Sequence, residues 1–203
     1  HQQGSLPRLA LRHPMNPKAI DYKSFFYPPG GILLWMIIFL ELITFGMALG
    51  AMAFSAADNG PLFHQSRLQL NATIGTINTA VLLTSGFFVA MAVHNFKAAN
   101  LQKSSLQFKL AMLGGLLFIA IKGFEYYSKI DAGLLLDSNT FFTFYWLLTG
   151  FHLIHVVVGL VILFVLNRNI TTTSIETVEA SAAFWHMCDL IWLLLFPVLY
   201  LIF

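Results

Sequence analysis

Residues 31–54 read GILLWMIIFLELITFGMALGAMAF, and only Glu41 among them is ionisable. A helix rises about 1.5 Å per residue, so a run of this length reaches across roughly 30 Å of hydrocarbon. Three further runs, 70–94, 141–166 and 181–203, have the same character, and a shorter one, 110–128, contains Lys122 and Glu125. Together the five runs make up more than half of the chain, yet they hold only four Lys, Arg, Asp or Glu: Glu41, Lys122, Glu125 and Asp189. That segregation follows from the unfavourable transfer of charge into lipid. The runs are continuously apolar and do not alternate, which selects helices over a β-barrel. The expected fold is all-α: a polytopic membrane protein built as a five-helix transmembrane bundle.

Composition agrees. The 203 residues are 58% hydrophobic and 10% charged, with a mean hydropathy of +0.75, well outside the range of soluble domains. A net charge of +2 without basic or acidic runs gives no electrostatic basis for binding nucleic acid. The lone Cys188 excludes an internal disulfide and any CxxC redox or metal pair. An aromatic content of 15% argues against disorder.

The connections are short and rich in turn residues, such as Tyr27-Pro28-Pro29-Gly30-Gly31, Asp58-Asn59-Gly60-Pro61 and Asp137-Ser138-Asn139-Thr140. They leave no room for a soluble catalytic module. The expected organisation is an N-terminal tail, 1–30, followed by one membrane domain, 31–203. Within the tail, residues 1–14 are basic without an acid, as in a transit peptide. Met15-Asn16-Pro17 favours the reading of a natural start preceded by extra residues, and no cleavable secretory signal is visible. Arg8, Arg12, Lys18, Lys23, Lys97, Lys103, Lys109 and Arg168 fall on one side of the membrane, against Arg67 and Lys129 on the other. The positive-inside rule then places the N-terminus in the cytoplasm and the C-terminus outside.

Ionisable residues within the spans are the functional candidates, because each needs a partner or water. Measured at about 1.5 Å per residue from the cytoplasmic end of each helix, Glu41 lies about 15 Å in, His155 about 16 Å and Asp189 about 12 Å, a single layer. His94 and His186 fall near the cytoplasmic interface. Lys122 and Glu125, at i and i+3, share a helix face and form an expected ion pair. Three readings of the layer stand side by side. His155 and Asp189 could hydrogen-bond across their helices as packing glue. His152/His155 and His186/Asp189, with Glu41, could instead surround an intramembrane metal, although no repeated Glu-x-x-His is present. Glu41, with nothing on its own helix to neutralise it, could be a protonatable or lipid-facing carboxyl, or simply a buried one bonded to a neighbour. The polar and small residues of 70–94, from Asn71 to Gly86, suit close helix packing.

Several of these segments resemble subunit III of the heme–copper respiratory oxidases. Ala183–Trp192, AFWHMCDLIW, is similar to that family's closing pattern of WH, a following D, then W. Thr149–Val156 resembles its T-G-x-H-x-x-H-V, and Lys122–Tyr126 its K-x-x-E-Y. Asn78-Thr79 followed by Thr84-Ser85-Gly86 resembles its second-helix region here, and Glu41 falls where the family often carries an intramembrane carboxyl. The likeness runs from Gly30 to Phe203.

The resemblance implies a non-catalytic subunit of an aerobic electron-transport complex. Such a subunit carries no heme or copper, which reside in partner subunits. It packs against the catalytic subunit I and other oxidase subunits, binds phospholipid, supports proton uptake and active-site durability, and can join a respiratory supercomplex. On this reading Glu41 and His94 are the lipid- or proton-related positions. His152, His155, His186, Asp189 and Trp192 form a structural polar cluster, Lys122–Glu125 is a structural pair, and no residue ligates a metal. Mitochondrial-type members have two more N-terminal helices, so the resemblance implies a bacterial complex in the inner membrane, similar to the five-helix quinol oxidase form. The accessory subunit of nitric oxide reductases is a close relative and an alternative reading. An intramembrane His/Asp metalloenzyme is the alternative from a different class.

Overall fold

The computed structural model describes residues 31–203, so the N-terminal tail lies outside the described residues. The elements are α1 (Ile32–Asp58), α2 (Gly60–Arg67), α3 (Ala72–Lys97), α4 (Leu101–Asp131), α5 (Thr140–Arg168) and α6 (Ile175–Pro197), ending in a π-helical turn, Val198–Ile202. Five of these helices are long and apolar enough to cross a membrane, and the described residues contain no strand. The fold is therefore all-α and multi-pass.

Helix ends follow local chemistry. Asn71, Asn100, Asn139 and Ser174 each precede a helix and accept a hydrogen bond from the backbone N–H three residues on, satisfying a donor that the helix itself cannot. Gly133, at φ 71°, takes the left-handed conformation just beyond α4, which costs a glycine little. Pro197 has no N–H to continue the α ladder, and the chain runs on from it in the wider π geometry.

Two features depart from the sequence boundaries. The third span, expected at 110–128, is part of a 31-residue helix beginning at Leu101, because hydropathy marks only the lipid-embedded portion and hydrogen bonding continues into the polar stretch. The first connection contains a short helix, α2, with Pro61 in its first turn.

α3, α4, α5 and α6 form a square in which each packs on its two neighbours, and α1 lies against α5 and α6. The α3–α4 contact has a regular register. Asn78 donates to the Phe118 carbonyl (3.3 Å), Ser85 to the Ala111 carbonyl (2.7 Å), and Ser104 of α4 to the Ala92 carbonyl (2.8 Å). The participating positions are seven residues apart on both antiparallel helices, the spacing of a left-handed supercoil. Gly114 brings the backbone of α4 against Ser85, too close for a side chain larger than hydrogen. The small and polar stripe of the second span is thus packing surface. The last span, Ile175–Ile202, is the most enclosed, and α1 is the least. Trp185, fully buried, fills the gap left by Gly115 of α4 and Gly159 of α5.

Candidate functional site

Six ionisable groups within the spans form three pairs. The first is the Lys122–Glu125 pair on α4. Both side chains are buried, and Lys122 Nζ lies 3.1 Å from Glu125 Oε2, as the i, i+3 spacing requires. The ammonium has three N–H donors, and all three find acceptors: Glu125, Tyr200 Oη at 2.7 Å and Tyr145 Oη at 3.2 Å. The two tyrosines in turn donate to Glu125 Oε1, Tyr145 at 2.8 Å and Tyr200 at 2.5 Å. The rings of Tyr126, Tyr145, Trp192 and Tyr200 surround Nζ at 4.8–5.4 Å from their centroids, a cationic cage. Above it, Arg67 donates to the Tyr200 carbonyl and Lys129 to that of Gln69, tying the α2 connection over this end of the bundle.

The second is Glu41 on α1 with His155 on α5. His155 Nε2 lies 3.4 Å from Glu41 Oε2, within ion-pair reach but without hydrogen-bond alignment. Its Nδ1 contacts the Phe151 carbonyl at 2.9 Å. A carbonyl can only accept, so Nδ1 carries a hydrogen, and Nε2 meets the carboxyl favourably only when one of the two groups holds a further proton. Phe45 and Phe151 close around the pair edge-on to the imidazole.

The third is His186 with Asp189 on α6, Nδ1 to Oδ2 at 3.2 Å. Asp189 Oδ2 occupies the space that a Cβ on Gly86 of α3 would need, so a glycine lets the carboxylate approach the α3 backbone. Asp189 Oδ1 is buried without a partner among the described residues.

These placements revise the expected layer. Glu41 and His155 do meet across helices, but the expected His155–Asp189 bond is replaced by two separate pairs, because α1 lies over the face of α5 that carries His155. His152, one turn away, is fully buried, stacked on Trp192 at 5.2 Å with Phe118 edge-on, and neither ring nitrogen has a partner among the described residues. Trp192 donates to Thr79 Oγ1 on α3 at 2.9 Å. His94 stands exposed in the last turn of α3, apart from the others. No three His, Cys, Asp or Glu side chains among the described residues come close enough together to hold a metal ion, so the metal reading of the layer lacks a ligand set.

The profile of the family described as cytochrome c oxidase subunit III matches residues 63–202, well over half of the chain. The chain belongs to the cytochrome c oxidase subunit III family. Among similar subunit III proteins, one from Mycobacterium leprae, "Probable cytochrome c oxidase subunit 3", is 29% identical over 177 residues, covering 85% of this chain and 86% of that one. Its counterpart from Nocardia farcinica is 28% identical over 178 residues with the same coverage. The subunit 3 of Schizophyllum commune is 35% identical over 128 residues, which span 61% of this chain and 47% of its own length.

Within this subunit III fold, the residues that sequence reasoning missed are Tyr145 and Tyr200. A usable signal was present: with helices alternating in direction, the start of the fourth span and the end of the fifth both return to the end of the bundle where Lys122 and Glu125 lie. Applying the depth argument to hydroxyls as well as to charges brings both tyrosines to the pair.

Proposed function

We propose that this chain is the non-catalytic subunit III of a bacterial heme–copper terminal oxidase. It packs in the inner membrane against the catalytic subunit, and heme and copper are carried by its partners. The observation that carries this reading is the family match over residues 63–202, and the closed Lys122–Glu125 centre agrees with it: the two charges consume one another's hydrogen-bonding capacity together with Tyr145 and Tyr200. A reacting centre needs a group free to meet substrate, and this pair leaves none. The bacterial setting is supported by the Mycobacterium and Nocardia relatives, whose lengths the similarity spans almost fully.

Glu41 is the proton-related position in this reading. Its pairing with His155 can hold one proton inside the membrane, and the groove beside it, lined by Thr44, Phe45, Ala48 and Phe144 among others, is apolar and open to an acyl chain. The Lys and Arg distribution supports a cytoplasmic N-terminus. The test is isolation of the complex that contains this chain, followed by its absorption spectrum. A heme-bearing oxidase that retains the chain in fixed ratio is expected. Recovery of the chain without any co-purifying heme overturns the reading.

A further inference from the structure

Of the four lysines on α4, Lys122 meets Glu125 and Lys129 meets the Gln69 carbonyl. Lys103 and Lys109 form no ion pair among the described residues, whereas Lys97, at the same end of the bundle, is matched by Glu179. Both unmatched lysines line one cavity of about 670 Å³, set between the start of α4 and the α5–α6 connection at Ile170 and Thr171. No Asp or Glu lines it, and Ser105 and Thr171 add hydroxyl groups. The lysines are six residues apart, roughly 9 Å along the axis. Side chains on a helix lean toward its N-terminus, so the long stem of Lys109 is directed back toward Lys103. Lys109 is also the last charge before the apolar run that begins at Leu110, which sets the cavity where headgroups meet hydrocarbon.

The same side of α4 continues into an apolar groove. Leu106 lines the cavity, and Leu110, Leu113 and Leu117, on the turns that follow, line a groove along the α3–α4 seam with Ala80 and Phe88 on its other wall. At Ile77 this groove meets a second hollow, walled by Ile121 and Phe124. From Leu110 to Phe124 the two extend about 21 Å along the axis, more than the roughly 15 Å depth of one leaflet. A cationic cavity at the head of an apolar groove matches the two halves of a phospholipid. Two ammonium groups without a carboxylate favour a headgroup of net negative charge over a zwitterionic one.

We propose that α3 and α4 bind one anionic phospholipid here, its phosphate between Lys103 and Lys109 and one acyl chain in the α3–α4 groove. The site lies on a different face from the groove beside Glu41, which α1 and α5 line. It depends on the membrane-spanning fold and not on the oxidase reading, so either can fail alone.

The test places the native complex in phosphatidylcholine vesicles doped with a photoreactive lipid, the reactive group being on the acyl chain. The headgroup of that lipid is phosphatidylglycerol in one set and phosphatidylcholine in the other. Peptides from 110–124 are expected to take more label from the phosphatidylglycerol probe. Lys103→Gln and Lys109→Gln are each expected to lower that preference by roughly fivefold, the effect of one lysine near an anionic lipid surface. Lys103→Arg and Lys109→Arg are expected to keep it, because the charge remains. Ala80→Phe fills the groove and is expected to reduce labelling of 110–124 with both charges in place. Equal labelling by the two probes, or a preference unchanged in both glutamine variants, overturns the site. Label elsewhere on the chain but none in 110–124 also overturns it, and shows that protein covers the seam. The heme content of the same preparation tests the oxidase reading separately.

Discussion

Tyr200 donates its hydroxyl to Glu125 Oε1 at 2.5 Å, joining the π-helical end of the chain to the carboxylate that neutralises Lys122. The contact spans 75 positions of sequence and ties the last span to α4 at the end of the bundle. It also makes the ion pair part of a four-residue unit whose members depend on each other.

Removing one charge from that unit leaves the other buried and uncompensated. Glu125→Gln is expected to destabilise the fold by about 3–5 kcal/mol, the range for breaking a buried pair from one side. The double replacement Lys122→Met with Glu125→Leu is expected to recover most of that loss, because neither charge then remains. Thermal unfolding in detergent checks the order, and a double variant as unstable as the single one would contradict it.

Tyr200→Phe removes one donor to Glu125 and one acceptor from Lys122 while keeping the ring. A loss of about 1–3 kcal/mol is expected from the groups left unsatisfied. Tyr145→Phe is expected to be milder, since its contacts to the same two groups are longer, at 2.8 and 3.2 Å. Equal melting temperatures for the two variants would remove the distinction.

Gly86→Ala forces a methyl group into the Asp189 carboxylate, so the His186–Asp189 pair must move. The expected penalty is about 1–3 kcal/mol, typical of overpacking. Gly123→Ala on α4 meets nothing within 4 Å and is expected to be neutral or slightly stabilising, by no more than about 1 kcal/mol. A side-by-side unfolding measurement separates the two.

The three hydrogen bonds along α3 and α4 act as evenly spaced cross-ties. Asn78→Ala, Ser85→Ala and Ser104→Ala are each expected to lower stability by about 0.6 kcal/mol, the mean for such bonds within membranes. Their sites are roughly 10 Å apart along the helices, so the effects are expected to add. A triple variant far below the sum would show that the ties act together.

Glu41→Gln keeps the shape of the α1–α5 contact but removes the carboxyl that lies within ion-pair reach of His155. The complex is expected to assemble with the chain in place and to lose activity faster during sustained turnover. Activity followed over repeated substrate additions provides the measurement. An unchanged rate of inactivation together with unchanged lipid content would count against a proton-related role.

Much was legible before any coordinates. The five spans follow from runs that carry almost no charge, and the pairs Lys122–Glu125 and His186–Asp189 follow from the i, i+3 geometry of a single helix. The caps at Asn71, Asn100, Asn139 and Ser174 are local chemistry as well. Contacts made within one helix depend only on its pitch, which every sequence shares.

Contacts between helices depend on how each helix is rotated about its axis, and apart from the small and polar stripe of α3 these spans are apolar nearly all round, with little to set that angle. The tertiary structure alone therefore decided that His155 faces Glu41 rather than Asp189, and that Tyr145 and Tyr200 close over Lys122. It also decided that His152 stacks on Trp192 while His186 turns outward. The sequence determined which groups enter the membrane, because charge and hydrophobicity are additive along a chain. Which of them meet was decided by side-chain shape at the helix interfaces, where a glycine such as Gly86 or a tryptophan such as Trp185 sets the distance and the angle.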